Sequence, residues 1–383
     1  MRTQPKVLFI SSWYPNLLRP TEGNFVEQHI QTAQEIAQVA LVHVVLSSSH
    51  KTLTHERKQT PFETHLIYLP KNNVPFLGVL INYFQVLLTY WKFVSKTELG
   101  KPDLIHANIL YPIGLVGILL KWRWRIPLVF SEHWTCYHPY ADPQPPLLVK
   151  TALRWIAKRA DLLLPVSLDL AVAMQQFGMR TPMKVVPNVV DPSIFKLIEK
   201  RAHRVYRFVH VSSLDVKQKN FHLLVRAFYA LKKEQDNIEL HVVSDGNEKA
   251  YTQLLKDFDF ASSIHFHGKQ NPEGVAAILQ FADAFVLSSR YENLPCVLIE
   301  SLACGTPVIT TQVGGVAEIV HSHNGLLVPS EDLNALSNAM KQIQSISFDG
   351  ANLHRETLLK FGPDTVSGLF LEAYQMLLKT DVA

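Results

Sequence analysis

Apolar residues fall in short unbroken runs along this chain, separated by stretches in which they recur every three or four positions. In the first half the runs are KVLFIS (Lys6–Ser11), VALVHVVLS (Val39–Ser47), LIHANI (Leu104–Ile109), PLVFSEH (Pro127–His133) and LLLPVS (Leu162–Ser167). In the second half they are RFVHVSS (Arg207–Ser213), IELHVVS (Ile238–Ser244), IHFHG (Ile264–Gly268), AFVLSS (Ala284–Ser289) and VITT (Val308–Thr311). Between them lie helical patterns such as FHLLVRAFYALKK (Phe221–Lys233) and LNALSNAMKQIQ (Leu333–Gln344). Near-continuous apolar strands alternating with helices predict parallel sheets covered on both faces. The rhythm runs twice and breaks at VVPNVVDPSIFKLIEKRAHR, where prolines interrupt the pattern and a charged stretch follows. Two Rossmann-like, doubly wound domains are therefore expected, 1–190 and 191–365, facing across a cleft. The final helix, about 366–383, is expected to pack back on the first domain. In such sheets ligands sit outside the carboxyl ends of the strands.

Length and composition fit this picture. The chain has 383 residues, 47% of them apolar, which suits two domains and excludes disorder. Cys296 and Cys304 fall on one expected helix, about 12 Å apart along its axis, too far to bridge. With Cys136 the only other cysteine, this usage points to a reducing, cytoplasmic compartment. The first residues lack the long apolar region of a signal peptide. Val74–Trp91 is long and apolar, but Asn82, Gln85 and Thr89 interrupt it, so a core helix or a partly membrane-facing one is expected rather than a span. Up to Val190 there are 19 lysines and arginines against 11 acidic residues, a net of +8, leaving −4 for the remainder of the +4 total. A basic first half suits an anionic acceptor or the inner face of a membrane; solvated faces explain it equally well. Nothing marks a nucleic-acid partner.

The chemistry concentrates in SRYENLPCVLIESLACGTPVIT (Ser289–Thr310). It parses as strand end, loop, helix and strand, with Pro295 suited to the helix start and Gly305 to its left-handed stop. A loop feeding a helix N-terminus is an anion site, and carboxylates beside it can accept sugar or ribose hydroxyls. On spacing alone, Glu292 as a solvated loop residue and Glu300 as a surface helix residue is the favoured reading.

The flanks extend the pattern. SRYENLPCVLIESLACGTPVITTQVGGVAEIV…NGLLVP resembles the donor-binding segment of the family 4 glycosyltransferases, retaining enzymes of the GT-B fold. WYPN…EGNF resembles their glycine loop after the first strand, PDLIHANI and SEHW their middle strands, VVPNVVDPSIF their interdomain segment, KNFHLLVRAF their lysine-bearing helix and SDGNE (Ser244–Glu248) the turn beyond it. The resemblance implies that Glu300 holds the donor ribose and Glu292 contacts the transferred sugar. It implies that Asn293, Leu294 and Pro295 turn beneath sugar and phosphates, and that Lys219 neutralises the diphosphate leaving group. His133 would reach the sugar from the first domain, and Gly23 and Asn24 would close over the phosphates. One departure concerns charge. The family's usual glycine and arginine are replaced by serines, Ser213 standing for the arginine, with Lys217 the candidate substitute. Val189 stands where an interdomain glycine is usual.

Other signals are set aside. DFD (Asp257–Asp259) follows a helix rather than a strand, so no metal is expected there. The pairs His265/His267 and His321/His323 have strand-like spacing with no third ligand evident in sequence, which argues against zinc. No Gly-x-Gly-x-x-Gly follows the first strand, so a dinucleotide oxidoreductase is not expected. KWRWR (Lys121–Arg125) suits a membrane-interface anchor or an amphipathic helix end. The expectation is a metal-independent, cofactor-free retaining transferase, with a nucleotide-diphosphate sugar as co-substrate and a lipid-linked or cell-envelope glycan as acceptor. The alternatives are a sugar-nucleotide epimerase of the same fold and a non-catalytic sugar-nucleotide-binding protein.

Overall fold

The computed structural model describes residues 4–378 apart from 76, 142, 200–203, 247–250, 252, 254 and 256–260. The DFD motif and the last two residues of SDGNE lie outside the described residues. The chain divides into two compact units, Met1–Val189 with Val366–Ala383, and Val190–Thr365.

The first unit is built on a seven-stranded sheet: β1 (Lys6–Ser11), β2 (Gln38–Ser47), β3 (Thr54–Lys58), β4 (Glu63–Pro70), β5 (Leu104–Asn108), β6 (Leu128–Glu132) and β7 (Leu162–Pro165), in the order β3-β4-β2-β1-β5-β6-β7. Its helices are α1 (Asn24–Gln34), α2 (Gly78–Phe93), α3 (Gly114–Trp124), α4 (Leu147–Ala157) and α5 (Leu168–Gln176). The second unit contains β8 (Tyr206–Val211), α6 (Phe221–Lys232), β9 (Ile238–Val243), β10 (Ile264–Phe266), α7 (Pro272–Phe281), β11 (Ala284–Leu287), α8 (Cys296–Ala303), β12 (Val308–Thr311), β13 (Gly325–Val328), α9 (Leu333–Gln342) and α10 (Gly350–Phe361). Its sheet runs β10-β9-β8-β11-β12-β13, with every described pairing parallel. A last helix, α11 (Pro363–Leu377), lies mostly in the first unit. There Phe370, Ala373 and Tyr374 join a core with Val7, Phe9, Ile30 and Val129.

Parallel strands buried on both faces explain the unbroken apolar runs: every residue of β5, β6, β7, β11 and β12 is buried. In the first sheet the order reverses between β1 and β5, and in the second between β8 and β11, so each unit has a switch point at the carboxyl ends of those strands. The first sheet departs from the all-parallel expectation at its edge, where β3 pairs antiparallel with β4. THERK in β3 is polar and mostly exposed, as an edge strand permits, and therefore carries no apolar signal. The helix read from Val74–Trp91 is α2, and no described helix is long and apolar enough to cross a membrane.

Candidate functional site

In the second unit the segments after β8 and β11 meet side by side. Arg290 N–H donates to the Gln218 carbonyl at 2.8 Å, and the Ser288 hydroxyl donates to the carbonyls of Lys219 (3.0 Å) and Asn220 (3.1 Å). The Lys219 ammonium is thereby held 2.5 Å from Glu292 Oε1, which also accepts from Ser289 Oγ at 2.7 Å. Glu292 is 5% exposed, so the solvated-loop reading does not hold. A buried carboxylate needs a partner, and Lys219 supplies the charge. The loop is propped from below by Arg290. Its guanidinium donates to the Val216 carbonyl (2.6 Å), the Lys217 carbonyl (3.2 Å) and Asn220 Oδ1 (2.9 Å), and it pairs with Glu331. Lys217 itself is exposed, as is Ser213.

His210 fixes the start of this loop. Its Nδ1–H donates to the Val286 carbonyl at 2.8 Å, so Nε2 is the acceptor for Ser212 Oγ at 2.7 Å. Ser212 Oγ in turn accepts from Leu214 N–H at 3.1 Å, where the backbone enters the left-handed region at φ 56°. Burial holds His210 neutral, with a pKa near 4.

Asn293, Leu294 and Pro295 are buried, and Pro295 caps α8 from one residue outside its first turn. Gly305, at φ 72°, takes the left-handed position that follows α8. Glu300 lies on α8 and is half-buried. Burial raises its pKa to about 7, with no hydrogen bond or cation among the described residues offsetting the effect. Cys296, one turn earlier on α8, is a free thiol that burial and Glu300 push upward, with Glu292 and Lys219 also felt there. The lysine, both glutamates and the start of α8 thus share one corner of the second unit.

The first unit builds its corresponding corner at the ends of β1, β5 and β6. Gly23 precedes α1 at φ 73°, and a Cβ there would lie 2.7 Å from the Trp13 carbonyl carbon, so the glycine is required by both conformation and space. Asn24 is exposed at the first position of α1. His133 follows β6 and packs on Phe25 (ring centroids 4.2 Å apart) and His29 (5.3 Å). Burial, reinforced by His29 and His106, holds the His133 pKa well below the usual range, with a hydrogen bond to Asn188 acting the other way. Glu132 orders this turn: its carboxylate accepts from the backbone N–H groups of His133, Trp134 and Leu110, each at 2.9 Å, and from the Tyr137 hydroxyl at 2.7 Å. Burial still pushes the Glu132 pKa up.

Two family descriptions match the chain in succession, "Glycosyltransferase Family 4" over residues 31–194 and "Glycosyl transferases group 1" over residues 205–345. The chain belongs to the family 4, group 1 glycosyltransferases. It is 27% identical over 361 residues to a putative teichuronic acid biosynthesis glycosyltransferase, TuaC, of Bacillus subtilis, covering 88% of this chain and 89% of that one. Its fold is that of the GT-B enzymes. Sucrose-phosphate synthase from Thermosynechococcus elongatus superposes with a TM-score of 0.78 at 18% identity, over 97% of this chain and 99% of the other. Anabaena HepE, solved with UDP and glucose, gives 0.74 at 19% identity, over 97% and 100%.

In this transferase, sequence reasoning passed over the residues that hold the site together. Ser289 and Gln218 flank Glu292, Arg290 and Glu331 support the 216–220 loop, and Glu132 fixes the His133 turn. One expectation is overturned. His265 and His267 do have further ligands nearby, because the parallel register sets His265 beside His241, with Glu239 on the same face of β9.

Proposed function

We propose that this glycosyltransferase moves a hexose from a nucleoside-diphosphate sugar to a hydroxyl of a lipid-linked or cell-envelope glycan, with retention of configuration and without a metal in the reaction. UDP is the favoured nucleotide and GDP-mannose the other candidate. The observation that carries the reading is the Lys219–Glu292 pair at 2.5 Å, beside the desolvated carboxylate of Glu300 and the N-terminus of α8. Glu300 would accept from ribose hydroxyls and the α8 N-terminus would meet the diphosphate. Lys219, already fixed, would stabilise the negative charge that grows on the departing diphosphate without reorganisation at that moment. Glu292 would orient the sugar and hold the lysine in place. His133, held neutral, would serve as a hydrogen-bonding partner rather than a cation. The UDP and glucose in HepE and the teichuronic acid biosynthesis named for TuaC support this reading.

The membrane side of the reading rests on α2, α3 and α4, where α3 packs against both neighbours and none of the three carries an acidic residue. Leu80, Phe84 and Leu88 form an i, i+4, i+8 stripe on α2 with exposures of 57%, 61% and 68%. Trp91, Trp122, Leu147, Leu148 and Trp155 are also exposed, and Arg123 and Arg159 lie over Trp91 and Trp155 at 4.2 and 3.6 Å. Exposed apolar rings interleaved with cations suit an anionic bilayer surface.

A thermal-shift panel of UDP, GDP, ADP and their sugar conjugates, with and without EDTA, tests the donor. A nucleotide-selective rise in melting temperature that survives EDTA is expected, and no shift with any nucleotide would defeat the reading. Flotation with anionic liposomes tests the membrane face, and Phe84→Ser with Leu88→Ser should reduce it.

A further inference from the structure

A second cluster of ligating side chains lies away from the Lys219 loop, on β9 and the edge strand β10 of the same sheet. The parallel register pairs His241 of β9 with His265 of β10 and Glu239 of β9 with Arg207 of β8. Side chains alternate along a strand, so Glu239, His241, His265 and His267 share one sheet face. The opposite face of β9, with Ile238, Leu240 and Val242, is buried in the core. The histidines form a ladder, His265 to His241 at 4.9 Å between ring centroids and His241 to His267 at 5.2 Å.

We propose that Glu239, His241 and His265 bind one divalent transition-metal ion of the zinc class, clamping the three-residue strand β10 to β9. His241 Nε2 lies 3.4 Å from Glu239 Oε2, and His265 Nε2 lies 3.8 Å from Glu239 Oε1. One ligand atom from each of the three residues falls within 4.8 Å of the others. Tetrahedral zinc, with bonds of about 2.0–2.1 Å to nitrogen and oxygen, needs its ligands about 3.3 Å apart, a small side-chain adjustment from this arrangement. His241 is already oriented for the role. Its Nδ1 is 2.9 Å from His267 Nε2, and if His241 carries the proton on Nδ1 and donates it to His267, Nε2 presents its lone pair to the metal. This is how an outer partner selects the tautomer of a metal-ligating imidazole. The opposing charge is Arg207, whose Nε is 3.7 Å from Glu239 Oε2. Its guanidinium stacks on Phe281 at 3.6 Å, so Glu239 Oε1 is the oxygen facing His265. Two imidazoles and one carboxylate favour a borderline ion over Mg²⁺ or Ca²⁺, which demand oxygen ligands.

The test is calorimetric titration of the untagged, metal-stripped full chain with zinc chloride, and separately with magnesium chloride. One zinc ion per chain is expected to bind saturably, with no magnesium heat. His265→Ala and Glu239→Gln, both at partly exposed positions, should each weaken zinc at least about 10-fold. His267→Ala, which removes only the partner of His241 Nδ1, should weaken it about 10-fold while leaving the stoichiometry at one. Absence of saturable zinc binding overturns the proposal. So does zinc binding unchanged in both His265→Ala and Glu239→Gln, since the ion would then occupy other histidines of the chain.

Discussion

The two units furnish the carboxyl ends of their strands in opposite ways. In the second, charge is concentrated: Lys219 pairs with Glu292 and Arg290 with Glu331, while Glu300 has no counter-charge among the described residues. In the first, His133 packs on His29 and Phe25, while His29 and His106 both pack on Phe370, all three histidines held neutral by burial. On the proposed function, the difference would match what each half of a transfer reaction needs. A departing diphosphate needs a cation in place before it leaves. A sugar hydroxyl needs a fixed hydrogen-bonding surface, which a neutral imidazole provides without attracting stray anions.

The comparison can be broken most sharply at the lysine. Lys219→Ala should lower kcat by about 10²–10³, the usual consequence of losing one transition-state partner, and it strands Glu292 as a buried charge. A steady-state assay decides it, and a loss below about 10-fold would remove the lysine from the chemistry. Gly23→Ala comes next. It forces a side chain into a left-handed backbone against Trp13, with a cost of about 1–3 kcal/mol, readable as a lower urea midpoint. Glu300→Gln should weaken donor binding by about 10-fold at pH 8. Because the Glu300 pKa is raised to about 7, the carboxylate that ribose hydroxyls need forms only as pH rises through that value. Donor affinity should therefore climb from pH 6 to 8 in the wild type and stay flat in the variant. The smallest effect is expected at His133. It is already neutral at pH 7, so His133→Gln should cost about 10-fold or less in kcat/KM. The wild-type rate profile should show no limb near 6.5 that this substitution removes.

Much of the fold was legible because parallel strands buried on both faces have no polar alternation to disguise them. KVLFIS and VITT match β1 and β12 residue for residue. The unread strands have physical reasons. THERK in β3 is polar and so carries no apolar signal. ETHLIYLP in β4 opens with three polar residues that are nonetheless buried, Glu63 being paired with Arg57 and His65. At the site, Glu292, Glu300 and Lys219 stand out because each belongs to a short stretch with its own pattern. Leu110, one of the four donors around Glu132, and the two partners of the Arg290–Glu331 pair come from chain segments brought together only by folding, and no spacing announces them. The Glu239–His241–His265 cluster is hidden for the same reason, since it exists only once the register of β9 and β10 is set.

Calorimetric titration of UDP into the wild type and into the double variant Lys219→Ala, Glu300→Gln addresses the central claim most directly. The account predicts saturable one-to-one binding by the wild type, weakened by well over about 10-fold in the double variant. Equal affinity in the two proteins would mean that the donor lies elsewhere and would contradict the assignment of this site.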